Sequence, residues 1–212
     1  MNQREEIIAI AAKEIGYKEY QGNNNKYGVW YGMNNQPWCA MFVSWCAAQI
    51  GVLGANNQSG IIPRTAWVPD YLTYYSSKGL YKAKGSYTPK CGDIIIYGSN
   101  SHVGLVESCA NGKVITIEGN TSANGNSSNG DGVYRRTRSL TDSWIKGYCV
   151  PEYEEEEDEV RYQKLSEIPS WGKETVEKLM DKGIIQGNTN GLDLSNDMLR
   201  VLVWNDRAGL YD

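Results

Sequence analysis

The sequence predicts an α+β protein, and three features carry that reading. An apolar stripe at helical spacing opens the chain, with Ile7, Ile8, Ala11, Ala12 and Ile15 at intervals of three and four. A second helical pattern, Cys39, Val43, Cys46 and Ile50, follows Pro37. From about residue 92 the period changes, and short Ile-, Val- and Tyr-rich segments alternate with turn residues. Helices first and strands afterwards describe helices packed on an antiparallel sheet, not an alternating parallel fold.

The first helix is expected from about Arg4 to Ile15. Asn2 caps it, Glu5 reaches back from the third helical position, and Gly16 ends it. Residues 20–36 are rich in Gly, Asn and Tyr and read as loop. The second helix runs from near Pro37 to Ile50, because proline suits a first turn that donates no internal hydrogen bond. Strands are expected at Asp93–Tyr97, His102–Glu107, Val114–Glu118, Val133–Arg136 and Gly147–Val150, and Asn111-Gly112 marks a tight hairpin turn. Glu152 to Glu159 is almost wholly acidic, repels itself and has little to bury, so 152–160 read as a linker. Beyond it, 161–212 form a small helical unit. Trp171, Val176, Leu179 and Met180 suggest one helix, Gly183 a stop, and Ser195 to Leu202 another. The expected division is therefore 1–151, 152–160 and 161–212.

A chain of 212 residues supports one domain with a real core and a small addition. Its hydrophobic fraction of 41% is ordinary, and no apolar run approaches the roughly 20 residues of a membrane helix. The opening Met1-Asn2-Gln3-Arg4-Glu5-Glu6 lacks the basic start and apolar stretch of a secretory signal. Synthesis in the cytoplasm is the expectation, with action elsewhere after release. Five cysteines at scattered spacing match no zinc pattern and leave at least one thiol unpaired. Residues 1–151 carry 14 basic and 10 acidic side chains, whereas 152–212 carry 7 basic and 15 acidic. A mildly basic first part suits an anionic polymer as partner. No basic cluster points to nucleic acid.

His102 is the only histidine. A lone histidine is more often structural than catalytic, so its company decides. Cys39 falls where the second helix begins, where unpaired N–H groups and the helix dipole favour a thiolate. The commoner fate of a free cysteine is burial as a small hydrophobe, and Cys46 fits that better. A thiol–imidazole pair also needs a group that orients the ring. Glu118 and Asn120 end a strand whose alternation puts Thr116, Glu118 and Asn120 on one face. Two hairpin registers are open. A two-residue loop, Asn111-Gly112, sets Leu105 against Glu118. A three-residue loop, Ala110-Asn111-Gly112, sets Leu105 against Ile117 and His102 against Asn120. The second pairs apolar with apolar and is preferred on packing alone.

Four segments together resemble the CHAP domain, the cysteine- and histidine-dependent amidohydrolase/peptidase family. They are Trp38-Cys39-Ala40-Met41-Phe42-Val43-Ser44-Trp45-Cys46, Gly92-Asp93-Ile94-Ile95, Ser101-His102-Val103-Gly104-Leu105-Val106-Glu107 and Ile117-Glu118-Gly119-Asn120. The resemblance covers roughly residues 5–151. It implies a papain-like α+β fold and hydrolysis of bacterial peptidoglycan. It also implies Cys39 as nucleophile, His102 as base and then acid, Glu118 as the group orienting His102, and Asn120 as an auxiliary polar residue. Cys91 stands where the family's Pro-x-Pro-Gly-Asp run has its second proline, which alters the turn and not the chemistry. Some members bind calcium ahead of the nucleophile. Here that region offers Asn23, Asn24 and Asn25, poor ligands for a hard cation, so no metal or cofactor is expected.

Trp30, Tyr31 and Trp38 flank the nucleophile and are candidates to line a substrate groove, with core packing as the alternative. The loop from Gly119 to Gly132 is a candidate cover for substrate. The run from Trp171 to Gly187 looks like part of an S-layer-homology motif, so the tail is a candidate for wall binding or for self-association into a homo-oligomer. The resulting expectation is an endolysin-like peptidoglycan hydrolase, N-acetylmuramoyl-L-alanine amidase slightly before endopeptidase. Its rivals are a secreted autolysin or wall-cleaving toxin with the same chemistry, and a non-catalytic wall-binding protein.

Overall fold

The computed structural model describes residues 2–123, 130–154, 160–189 and 191–212. The chain divides into two compact units, Met1–Glu155 and Glu156–Asp212.

The first unit is the expected α+β arrangement. Four helices, α1 (Gln3–Lys13), α2 (Lys26–Tyr31), α3 (Cys39–Gln49) and α4 (Val68–Ser77), precede six strands. These are β1 (Tyr81–Ala83), β2 (Ile94–Tyr97), β3 (His102–Ala110), β4 (Lys113–Thr121), β5 (Gly132–Ser139) and β6 (Ile145–Cys149). They form one antiparallel sheet in the order β1-β6-β2-β3-β4-β5. Asn2 caps α1 by accepting from the Glu5 N–H at 3.0 Å, and Gly16 takes the left-handed φ of 95° that turns the chain. α3 is buried nearly all round, which explains its unbroken run of small and apolar residues.

The sheet is covered on both faces, so β2 is four buried residues in a row and not an alternating strand. Ile94, Ile96, Val103, Leu105 and Ile117 join the helices in the main core with Ile7, Ala11, Phe42 and Val43. Ile95, Tyr97, Val106, Val114, Ile145 and Tyr148 make a second cluster, with Trp144 against it. By alternation, Thr116 and Glu118 share this second face with Val114. His102 shares it with its cross-strand partner Tyr97.

Several segments depart from the sequence expectation. Two helices, α2 and α4, stand where none was expected. α2 lies inside the presumed loop 20–36, capped by Asn25, whose side chain accepts from the Gly28 N–H at 2.8 Å. α4 buries Val68, Tyr71, Tyr74 and Tyr75, an apolar stripe written in tyrosine. The second predicted helix starts at Cys39 and not at Pro37. Residues 152–154 do not behave as linker. Tyr153 is buried and donates to the Gly92 carbonyl at 2.8 Å, and the Glu154 N–H donates to Gln3 Oε1 at 2.9 Å. One aromatic ring with a core to enter outweighs its acidic neighbours. Residues 155–159 of the expected linker, and 124–129 of the expected substrate loop, lie outside the described residues.

The Gly92-Asp93 pair anchors the sheet to the N-terminus. Asp93 is fully buried, pairs with Arg4 at 2.9 Å, and accepts from Tyr87 and from the Lys90 N–H. Arg4 also donates to the carbonyls of Cys91 and Pro151.

The second unit holds α5 (Ser170–Asp181) and α6 (Asn196–Arg207), a 3-10 turn at Leu165–Glu167, and a two-stranded ladder of β7 (Arg161–Tyr162) and β8 (Leu194–Ser195). Ile168, Val176, Leu194 and Leu199 form its core. Ser195 caps α6 through the Met198 N–H.

Candidate active site

Cys39 is the first residue of α3. Its N-cap is Trp38, which makes no side-chain cap, an unusual choice where Ser, Thr, Asp or Asn would satisfy the first-turn N–H groups. Those uncapped donors and the positive helix end lie at the residue that carries the Cys39 thiol. Burial pushes the thiols of Cys46, Cys91, Cys109 and Cys149 up, which keeps them protonated at neutral pH. All five cysteines are free.

His102 opens β3 and is fully buried. Its Nε2 lies 3.0 Å from Glu118 Oε2, so Nδ1 is the nitrogen left for Cys39. Among the described residues Nδ1 has no hydrogen-bond partner. Burial pulls the imidazole pKa down, but the Cys39 sulfur and the Glu118 carboxylate outweigh it and bring it up to about 9. Burial likewise acts to raise Glu118. The bond from His102, with those from Thr116 at 2.7 Å and Tyr97 at 2.6 Å, holds the carboxyl below its ordinary value. A buried carboxylate with three donors is a fixed negative charge aimed at one ring nitrogen.

Two more rings hold the imidazole. Trp144 lies parallel to His102, with centroids 5.7 Å apart and planes at 11°. It also stacks on Tyr97 at 4.6 Å, and Tyr97 stacks on His102 at 5.8 Å. The Arg138 guanidinium lies 4.6 Å from the Trp144 ring centre. Tyr97 and Trp144 were not foreseen from sequence as part of this site, and Thr116 only as a neighbour of Glu118 on the same strand face. The local signal for Thr116 was its place on the Glu118 face. Tyr97 and Trp144 come from other segments, and only strand pairing brings them in.

Two glycines let the parts meet. A Cβ on Gly104 would come within 2.6 Å of the Glu118 Cγ, so this glycine gives the carboxylate side chain its space across β3. A Cβ on Gly119 would meet Phe42 and Trp38 at 2.6–2.7 Å, so it lets α3 settle directly on β4. Asn120, beside it, is buried with a left-handed φ of 54°. With its amide oriented to suit both neighbours, it accepts from the Trp38 N–H at 3.3 Å and donates to the Gly130 carbonyl at 3.0 Å. Asn120 thus ties the peptide just before Cys39 to the sheet that carries His102.

The three aromatic candidates separate. Trp38 does not line a groove. It is fully buried, stacked on Tyr27 at 5.0 Å, and its indole N–H donates to Glu19. A flat ring this large gains more from the core than from a rim, so this expectation is corrected. Trp30 is 37% exposed, and Tyr31 is half-buried beside it. The amides ahead of Cys39 serve one another. Asn34 accepts from the Asn25 N–H and donates to Asn24, and Asn25 donates to the Asn23 carbonyl.

No curated protein matches the chain. Similar solved structures include a variant of the resuscitation-promoting-factor interacting protein RipA (19% identity, 72% of this chain and 62% of that one, TM-score 0.41). They also include the peptidoglycan hydrolase RipB from Mycobacterium tuberculosis (17%, 72% and 65%, TM-score 0.43). A third is Ly7917 with the hydrolysis product of MDP (15%, 76% and 66%, TM-score 0.45). The chain spans less than two thirds of the length of each. Residues 30–120 match the family described as the CHAP domain, a span that contains Cys39, His102, Glu118 and Asn120. The similarity to the CHAP domain is thus carried by residues 30–120 of this chain.

Proposed function

We propose that the protein is a thiol-dependent peptidoglycan hydrolase that cleaves an amide bond of the bacterial cell wall. The observation that carries this reading is the buried His102, bound through one nitrogen to Glu118 and offering the other toward Cys39 at a helix start. The CHAP match supports peptidoglycan as the substrate class.

The chemistry follows from the placement. The Cys39 sulfur attacks the amide carbonyl, and the Cys39 N–H at the uncapped helix start donates to the developing oxyanion. His102, charged below about pH 9, gives its Nδ1 proton to the leaving amine. The neutral ring then takes a proton from water, which releases the acyl group and restores the thiol–imidazole pair. Glu118 stays ionised throughout and fixes the ring. The same residues serve an amidase cutting at the lactyl–L-alanine amide or an endopeptidase cutting within the peptide. The amidase reading is kept slightly in front.

The test is digestion of purified peptidoglycan by the wild type and by Cys39→Ala, with released fragments identified by mass spectrometry. Free stem peptides and intact glycan from the wild type alone give an amidase, and new termini inside the peptide give an endopeptidase. Replacing the nucleophile should lower the rate by roughly four orders of magnitude. Equal release by both proteins, or none by either, would leave wall binding without catalysis as the better account.

A further inference from the structure

Arg64 is a half-buried cation in the catalytic unit that makes no ion pair among the described residues. Its guanidinium carbon lies 4.2 Å from the Tyr31 ring centre and 5.7 Å from that of Trp30. One N–H of Nη2 is spent on the Tyr31 carbonyl at 3.1 Å, and the other donors of the fork have no partner there. The nearby acid is already engaged, since Asp70 accepts from Thr65 at 2.6 Å and from Asn57 at 3.2 Å. A guanidinium laid on aromatic faces with donors to spare is built to receive a planar anion.

This cluster is joined to the nucleophile's helix. Thr65, the next residue, exchanges hydrogen bonds with Ser44 of α3 through its carbonyl and its N–H. The Tyr71 hydroxyl lies 3.3 Å from the same Ser44 and donates to the carbonyl of Ala40, the neighbour of Cys39. Val29, which precedes Trp30 in the chain, and Trp67, three residues after Arg64, are exposed at 63% and 66%.

We propose that Arg64, seated on Trp30 and Tyr31, is the specificity-determining residue that binds a free carboxylate on the peptide portion of the substrate, close to the amide that Cys39 attacks. This rests on the hydrolase reading above and deepens it. A stem peptide in which the second residue is linked through its side chain carries such a carboxylate next to the backbone. Amidation of that group removes both its charge and half of its acceptors.

The experiment uses full-length Cys39→Ala protein and two muramyl tetrapeptides that differ only at the α-carboxyl of the second residue, free in one and carboxamide in the other. Calorimetry should give affinity for the free acid about ten-fold above the amide. Adding Arg64→Met should bring the two affinities together, and Arg64→Lys should keep part of the difference. A role for Arg64 limited to holding the end of α2 would change stability and leave the affinity ratio alone. Equal affinities in the Cys39→Ala protein, a ratio unmoved by Arg64→Met in a variant with an unchanged circular dichroism spectrum, or binding of neither peptide overturns the proposal. Cleavage of either peptide by the wild type is read separately. If the wild type cleaves neither while the acid still binds through Arg64, the hydrolase reading fails and the carboxylate site stands.

Discussion

Cys39 and His102 are built in opposite ways. Cys39 depends on what lies beside it in the chain, a helix start with no side-chain cap and a run of small residues behind it. His102 depends on partners from three other segments. Glu118 and Thr116 come across the hairpin from β4, Tyr97 comes from β2, and Trp144 from the turn before β6. A local device tolerates change elsewhere. A device assembled across strands fails when any one register or contact fails. The base side should therefore be the more sensitive to substitutions that never touch substrate.

Glu118→Gln tests this hardest. The amide keeps the shape and removes the carboxylate that, together with the Cys39 sulfur, holds His102 at about 9. With one of the two groups that oppose burial gone, the imidazole pKa falls. We expect activity to fall about 100-fold, and the alkaline limb of its pH profile to move from near 9 toward neutrality. Because His102 is the only histidine, one imidazole resonance in an NMR titration reads the shift directly. An unmoved limb would mean that the carboxylate does not set the ring's charge. Stability follows the same signs. The His102 contribution is complete below its ordinary 6.5 and is lost as pH rises through about 9. The Glu118 contribution is complete above its ordinary 4.5 and is lost as pH falls through its lower folded value.

Gly119→Ala attacks the joint between the two halves. Its Cβ would lie 2.6 Å from that of Phe42, so α3 must lift from β4. A destabilisation of about 2 kcal/mol in denaturant melts, with activity reduced beyond what the unfolded fraction explains, is the expected result. Loss of stability without further loss of activity would show that the gap between Cys39 and His102 is slack.

Trp144→Ala should have the smallest effect. It leaves every hydrogen bond of Glu118 in place and removes the ring that lies parallel to His102. Water then screens the pair, so the imidazole titration should move from about 9 toward 6.5 with a rate loss of about ten-fold. Trp144→Phe should restore most of both. A titration identical to wild type would make Trp144 a packing residue only.

The hairpin between base and carboxylate shows how far sequence reasoning reaches. Apolar pairing correctly puts Leu105 opposite Ile117. The three-residue loop invoked to achieve it is wrong. Asn111 and Gly112 form a two-residue turn, both with positive φ (52° and 72°), and Ala110 faces Lys113. A bulge between Val106 and Ser108 absorbs the odd residue, Glu107, which turns to a bidentate pair with Arg135 at 2.6 and 2.8 Å. Turn preference and core pairing are both satisfied because the strand has a third option, one that leaves no local mark in sequence. α4 was missed for another reason. Its stripe is tyrosine, and each hydroxyl finds a specific partner, Tyr71 at Ala40 and Tyr75 at Ile61. The fold makes these rings apolar, and composition alone does not reveal it.

The sequence by itself determined the layer order and the face shared by Thr116 and Glu118, and it offered Cys39, His102, Glu118 and Asn120 as candidates. The layer order and the shared face follow from periodicity, and the candidates from local chemistry together with the family resemblance. Only the tertiary structure decided that Trp38 is core, that Asn120 fastens the Trp38 peptide, and that Tyr97 and Trp144 complete the imidazole's surroundings. Those outcomes depend on strand pairing and on close approach at Gly104 and Gly119, where the deciding neighbour is 14 to 81 residues away in the chain.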